Sequence, residues 1–327
     1  MAGYLRTLRR RILTPSVSAT KLGTRGFPVK NAASQELLEK VGETFLTGYG
    51  YAMASREPAD AEVLLEQVHT QFRGFAYEGA AMAFTMLDVL PLPGHRRLAT
   101  FIAGRGLDHI YMAYVGIGWA MARLPRFRWP RIEAPDPLLR WLVLDGYGFH
   151  QAYFHTTRYV YQQFREPAFP WPANDPHSYT GRAIDQGIGR AMWFVAGTDA
   201  GLLARMIEAF PAARRGDLYS GAGLAATYAG GADEAELRGF AESAGPYRWQ
   251  AAQGSAFAAK ARLRAGLAVP HTYLATNVMC GMSPEQAAQV CDRARPEPSE
   301  GDTQRNAYEV WRQRIAAEVA ALQGASR

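Results

Sequence analysis

The sequence predicts an all-α protein. Its apolar residues recur mostly at helical spacing, few segments alternate as strands do, and Ala, Leu, Met, Arg, Glu and Gln dominate the periodic stretches. A third observation is the order among its 32 glycines. Gly48-Tyr49-Gly50-Tyr51 recurs as Gly146-Tyr147-Gly148-Phe149, and Glu78-Gly79-Ala80-Ala81 as Gln186-Gly187-Ile188-Gly189. Gly116-Ile117-Gly118-Trp119-Ala120 recurs as Gly221-Ala222-Gly223-Leu224-Ala225. Each recurrence comes roughly a hundred residues on, in the same order. Gln253-Gly254-Ser255-Ala256 begins a partial third copy. Gly inside a helix costs about 1 kcal/mol against Ala. Its repetition therefore implies a compensating gain, either close backbone approach or a helix start facing a ligand.

These observations predict one domain of two pseudo-repeats, about 31–134 and 135–294, forming an α/α-toroid-like helical array. An α-solenoid or an irregular helical bundle is the alternative. Residues 1–30 read as a basic N-terminal arm, with Arg6, Arg9, Arg10 and Arg11 close together. Leu5, Leu8 and Ile12 share one helical face there, which suits a helix docked on its own domain or on a membrane surface. The arm lacks the continuous apolar stretch of a signal peptide. Residues 34–54 and 58–72 read as two amphipathic helices. The longest apolar run, 110–122, is too short to span a bilayer and reads as a buried helix. Pro135 and Pro137 mark the midpoint, and Pro167, Pro170, Pro172 and Pro176 define a loop carrying Trp171 and Asn174. Residues 295–327 read as a Pro- and Glu-rich linker, 295–302, followed by a last amphipathic helix, 303–324.

Composition narrows the function. The 327 residues suffice for a substantial core, and 48% hydrophobic with 20% charged residues excludes global disorder. The net charge is +6, yet no basic face interleaved with aromatics stands out, so nucleic acid is not an expected partner. Lys occurs only at Lys21, Lys30, Lys40 and Lys260, and an Arg-heavy, Ala-rich chain reflects GC-rich coding. Cys280 and Cys291 form no CxxC pair and suit buried thiols in a reducing cytoplasm. The Gly motifs follow no strand, which argues against dinucleotide binding. No GxxxxGK[ST] is present, and HExxH, GxSxG and SxxK are absent in any usable context. No cofactor is specified.

Candidate residues come from the repeats. Glu78, Gln186 and Gln253 each precede a glycine at what reads as a helix start. Such starts in a ring face one cavity, lined on this reading by Glu78, Gln186, Arg190, Asp217, Tyr219, Gln253 and Lys260. Glu78, Asp217 and Lys260 are acid–base candidates, Lys260 because a buried Lys with lowered pKa can act as base or nucleophile. His109 and His150, with one of Glu78, Asp145 or Asp217, could assemble a metal site. The alternative is that these histidines bond nearby carbonyls. Tyr77, Tyr111, Trp119 and Trp193 lie in or beside the Gly motifs and could line an apolar slot for a polyene or isoprenoid, or simply fill the core.

The quoted segments carry a resemblance. RGFAYEGAAMAFTMLD (73–88), GLDHIYMAYVGIGWAMARL (106–124), DPLLRWLVLDGYGFHQAYF (136–154), GIGRAMWFVAGTD (187–199), RRGDLYSGAGLAATYAGG (214–231) and AAQGSAFAAKARLRAG (251–266) resemble the DUF1702 family, found among enediyne biosynthesis proteins of bacteria. The likeness runs over about residues 8–292. It implies an accessory enzyme in enediyne polyketide biosynthesis, a secondary-metabolite pathway, that acts on a linear polyene during core formation. It also implies other proteins of a shared cassette as partners, including a membrane protein. The cysteines suit a cytoplasmic location, peripheral at the membrane if the N-terminal helix docks there. The resemblance supplies no established catalytic residues. A polyene or isoprenoid cyclase or isomerase, and a non-catalytic polyene-binding scaffold, are the alternatives.

Overall fold

A computed structural model describes residues 14–90, 96–172, 175, 178–297 and 306–325. The N-terminal basic cluster, Asn174, Pro176 and most of the 295–302 linker lie outside the described residues. The described chain is helical, with no strand. Helices of seven residues or more are α1 (Ala32–Ala54), α2 (Pro58–Leu65), α3 (Thr70–Val89), α4 (Arg97–Ala103), α5 (Ile110–Arg123), α6 (Trp141–Phe154) and α7 (Thr180–Val195). Then follow α8 (Ala200–Glu208), α9 (Ala212–Ala229), α10 (Glu234–Ser243), α11 (Arg248–Arg264), α12 (Pro270–Cys280), α13 (Pro284–Arg293) and α14 (Ala307–Ala325).

Local signals place the boundaries. The Asn31 side chain accepts from Ser34 N and starts α1. Pro58 opens α2, and Asp60 reaches back to the Arg56 and Glu57 amides. The segment expected as one helix over 58–72 is instead two. It breaks after Leu65, and His69 caps α3 by accepting from Gln71 N. The last amphipathic helix is present as α14.

The long helices α1, α3, α5, α6, α7, α9 and α11 pack as successive neighbours. Their glycines make the joints. A Cβ on Gly48 would sit 1.9 Å from Ala76 O, and one on Gly79 2.0 Å from Phe45 O, so α1 and α3 touch backbone to backbone. The same reciprocal crossing joins α5 to α6 through Gly118 and Gly146, and α6 to α7 through Gly148 and Gly187. It joins α7 to α9 through Gly189 and Gly221, and α9 to α11 through Gly223 and Gly254. In each crossing a glycine faces the carbonyl three residues before its partner glycine. At α3 with α5, Gly116 faces Glu78 O and Ala81 stands where the second glycine would be.

This geometry explains the Gly-x-Gly spacing. Residues two apart on a helix are about 200° apart around its axis. One glycine therefore serves the preceding helix and the other serves the following one. The motif marks a helix held between two neighbours, so the glycine pattern has a helix-by-helix cause. The expectation that these motifs open helices is corrected by the same geometry: Glu78, Gln186 and Gln253 lie inside α3, α7 and α11, not at their starts. Close packing, not an anion at a helix N-terminus, accounts for the glycines.

The array curls on itself. Lys30 Nζ bonds Gly231 O at 2.7 Å and Glu236 at 2.8 Å, beside Thr198 Oγ1 on Ser34 Oγ at 3.1 Å. Arg262 Nη2 of α11 bonds Gln71 O of α3 at 3.1 Å. The interior thus enclosed holds two cavities, and α14 packs across α11 and α13.

Candidate active site

On α3, α6, α7, α9 and α11 the residue before the first glycine of the motif is polar. Glu78, Asp145, Gln186, Ser220 and Gln253 occupy that position on five helices, and all are buried. They form a polar belt. Gln186 Nε2 donates to Asp145 Oδ2 at 2.9 Å and contacts Tyr308 Oη at 3.1 Å, and Ser220 Oγ donates to Gln253 Oε1 at 2.7 Å. Arg190, one turn beyond Gln186, closes the belt. Its Nη2 lies 2.8 Å from Asp145 Oδ1 and its Nη1 4.0 Å from Glu78 Oε1. These contacts are Coulombic more than directional, since Arg190 Nε and Nη2 and Asp145 Oδ1 complete no aligned hydrogen bond.

A cavity lies on one side of the belt. Its walls are apolar: Leu38, Val41, Phe45 and Leu46 from α1, Phe75 and Met82 from α3, Trp119 from α5, Phe149, Tyr153 and Phe154 from α6, and Phe194 from α7. Trp119 sits at its centre, 4.5 Å from the Phe45 ring and 5.2 Å from the Phe149 ring. Arg190 lies over the Phe149 ring at 4.7 Å. Glu78 and Arg190 are the charged groups at the deep end.

Burial pushes the Glu78 carboxyl up to about 7. Arg190 pulls it down and Asp145 pushes it up, each by less than burial does. Trp119 has the smallest influence, a lowering one, although its indole N–H completes no hydrogen bond of acceptable geometry. Asp145 is also raised by burial, against Arg190 and the Gln186 amide. His150 lines the same cavity beside Trp119 and Phe154, with its Nδ1 unpartnered. Burial first, then Arg123 and His155, lower its pKa to about 3, so it is neutral near neutral pH.

A second, smaller cavity lies beyond the belt and shares Met112, Arg190, Leu224 and Tyr228 with the first. Tyr111 and the stem of Lys260 line it, together with Phe257, Tyr308 and Trp311. The Lys260 ammonium turns to Asp292 Oδ2 at 2.6 Å.

The other candidate residues stand elsewhere. Asp217 is held between Arg182 and Arg312, at 2.9 and 2.8 Å, under α14. Gln253 accepts from Arg312 Nε at 3.2 Å. His109 stacks on Tyr77 at 3.6 Å, and Tyr77 Oη donates to Glu66 at 2.6 Å, away from both cavities. Trp193 Nε1 donates to Gly230 O at 2.9 Å, and Tyr219 Oη to Ser243 O at 3.3 Å, both in the outer packing. The expected grouping of His109 with His150 does not form. Among the described residues no three His, Cys, Asp or Glu side chains are placed to share a metal ion. Asp145, Tyr308 and Arg312 were not expected together. The one sequence signal was that Asp145 precedes Gly146 as Glu78 precedes Gly79.

A family model described as "Protein of unknown function (DUF1702)" matches residues 4–319. The chain belongs to the DUF1702 family. No curated protein and no solved structure matches it. No helix among the described residues is long and apolar enough to cross a membrane.

Proposed function

We propose that this DUF1702 protein is an accessory enzyme of secondary metabolism that takes a linear polyene into the first cavity and acts on it by acid–base chemistry. The resemblance to enediyne biosynthesis proteins supplies the substrate class and cassette partners that include a membrane protein, and the two unpaired cysteines support a cytoplasmic setting. The observation that carries the reading is an aromatic, apolar cavity ending on one buried carboxyl, Glu78, poised near neutral pH beside Arg190. A general acid works best when its pKa lies near the working pH.

The chemistry follows from the lining. Protonated Glu78 adds its proton to one carbon of a conjugated chain, and the double bond's electron pair forms the new C–H bond. The delocalised cation lies against the Trp119 and Phe149 faces, which stabilise positive charge. Loss of a proton from another carbon to the Glu78 carboxylate restores a neutral chain. The result is an isomerised polyene, or a cyclised one where a remote double bond first attacks the cation and its electron pair forms the ring C–C bond, with no change in oxidation level, and Arg190 is the positioning cation for the carboxylate half of the cycle.

The test is incubation of the purified protein with linear polyenes and no redox partner, followed by absorption spectra and mass analysis. A shifted chromophore at unchanged mass, abolished in Glu78→Gln, is the expected result. Polyene that is retained but unaltered by the wild-type protein would replace the enzyme with a carrier or scaffold. An unchanged rate in Glu78→Gln would remove the acid.

A further inference from the structure

The first cavity has a deep end and an open end, and their charges differ. The deep end is matched: Arg190 faces Glu78 and Asp145. The open end is formed by Pro15, Ala19, Arg123 and Phe154, all at least partly solvent-accessible, with Arg123 exposed. Arg123 is one turn beyond Trp119 on α5 and makes no ion pair or hydrogen bond among the described residues. Arg25 lies over the Phe154 ring at 5.2 Å and likewise forms no ion pair there. Its Nε is buried with no hydrogen-bond partner. Leaving a buried guanidinium N–H unmet is costly.

Among the described residues no acid pairs with either of these cations. Glu39 shares this end, but Lys21 holds it at 2.8 Å, with Gln35 Nε2 at 3.1 Å and Leu22 N at 3.2 Å. His150 is neutral and supplies no countercharge. One unmatched arginine in the lining, Arg123, and a second against the outer lining ring, Arg25 beside Phe154, ask for an anion attached to an apolar chain. A guanidinium fork matches a carboxylate well.

Resting on the reading of this cavity as a polyene site, we infer that its ligand is a chain carboxylate. The tail runs inward over Trp119 to Glu78, and the carboxylate stays at the mouth between Arg25 and Arg123. This orientation also keeps a second negative charge away from Glu78 and Asp145, where Coulomb repulsion in a low dielectric is strong. It places reaction at the carbons far from the acid group.

The probe is cis-parinaric acid, a conjugated polyene acid whose fluorescence rises in apolar surroundings, compared with its methyl ester. The wild-type protein is expected to bind the acid about tenfold or more tighter than the ester. The double substitution Arg25→Ala with Arg123→Ala is expected to remove that preference and leave ester binding unchanged, with its fold checked by circular dichroism. Equal binding of acid and ester by the wild-type protein overturns the head-group assignment and leaves the apolar site standing. Unchanged acid preference in the folded double variant also overturns it. Binding of neither probe to folded wild-type protein overturns the inference and the cavity reading together.

Discussion

Two buried arginines on the same belt live in opposite environments. Arg312 of α14 is saturated: Nε reaches Gln253, and Nη1 contacts Tyr179 at 2.6 Å, Asp217 at 2.8 Å and Glu309 at 3.3 Å. Arg190 is as deeply buried, yet its Nε is unpartnered and its carboxylates are held loosely beside open volume. A closed network locks an element in place. An incomplete one bordering a cavity keeps its charge available to a ligand. Arg312 therefore reads as the latch that seats the C-terminal helix, and Arg190 as part of the site.

The largest expected effect comes from the joint between these two clusters. A Cβ at Gly221 would sit 1.8 Å from Gln186 O and 2.7 Å from Arg190 N, so neither backbone can yield cheaply. Gly221→Leu is expected to cost more than about 3 kcal/mol in urea unfolding, by overpacking. A variant that melts like its parent would undo the close-crossing account of the glycines. Arg312→Met comes next. It leaves the buried Asp217 and Glu309 with Arg182 as their remaining ion-pair partner and should cost up to about 3 kcal/mol. Arg190→Met should cost visibly less, because its cavity can admit water, while abolishing turnover. Equal losses in the two variants would erase the distinction between latch and site.

A pH experiment sharpens the same contrast. Glu78 is raised from its ordinary value of 4.5 to about 7, so the folded state holds a proton that the unfolded state has released. Stability contributed by that proton is full below pH 4.5 and is lost as pH climbs through about 7. Glu78→Gln cannot titrate and should flatten the fall in thermal midpoint over this range, leaving the part due to Asp145. An unaltered slope would show that Glu78 is ionised in the fold. The smallest effect is expected at Lys260→Ala. Its partner Asp292 is 58% exposed, and such pairs contribute about 1 kcal/mol or less. A large loss of activity there would move the chemistry to the second cavity.

Much of the frame was legible in the chain. Helical spacing identified α1 and α14, and the ordered glycines pointed to close helix contacts. Glu78, Arg190, Trp119 and His150 were named from sequence, and they meet in one cavity. The break at Glu66–His69 was not legible, because Leu64, Leu65 and Val68 keep a helical rhythm across it. Nor was the dispersal of Asp217, Tyr219 and Trp193. Asp217 and Tyr219 were grouped in one cavity with Glu78, and Trp193 with the aromatics of an apolar slot, but their own faces turn to α14, to Tyr247 and to Phe240.

The sequence by itself determined the helices and, through Gly-x-Gly, which faces of them touch. That information is local: a missing Cβ two residues from another fixes two opposite sides of one helix. Only the tertiary structure decided what the interior holds. Whether Asp145 meets Arg190, or Tyr308 from the far end of the chain reaches Gln186, depends on how seven helices close around a common space. The same closure sets the pKa of Glu78, since burial and neighbouring charge arise from helices far apart in sequence.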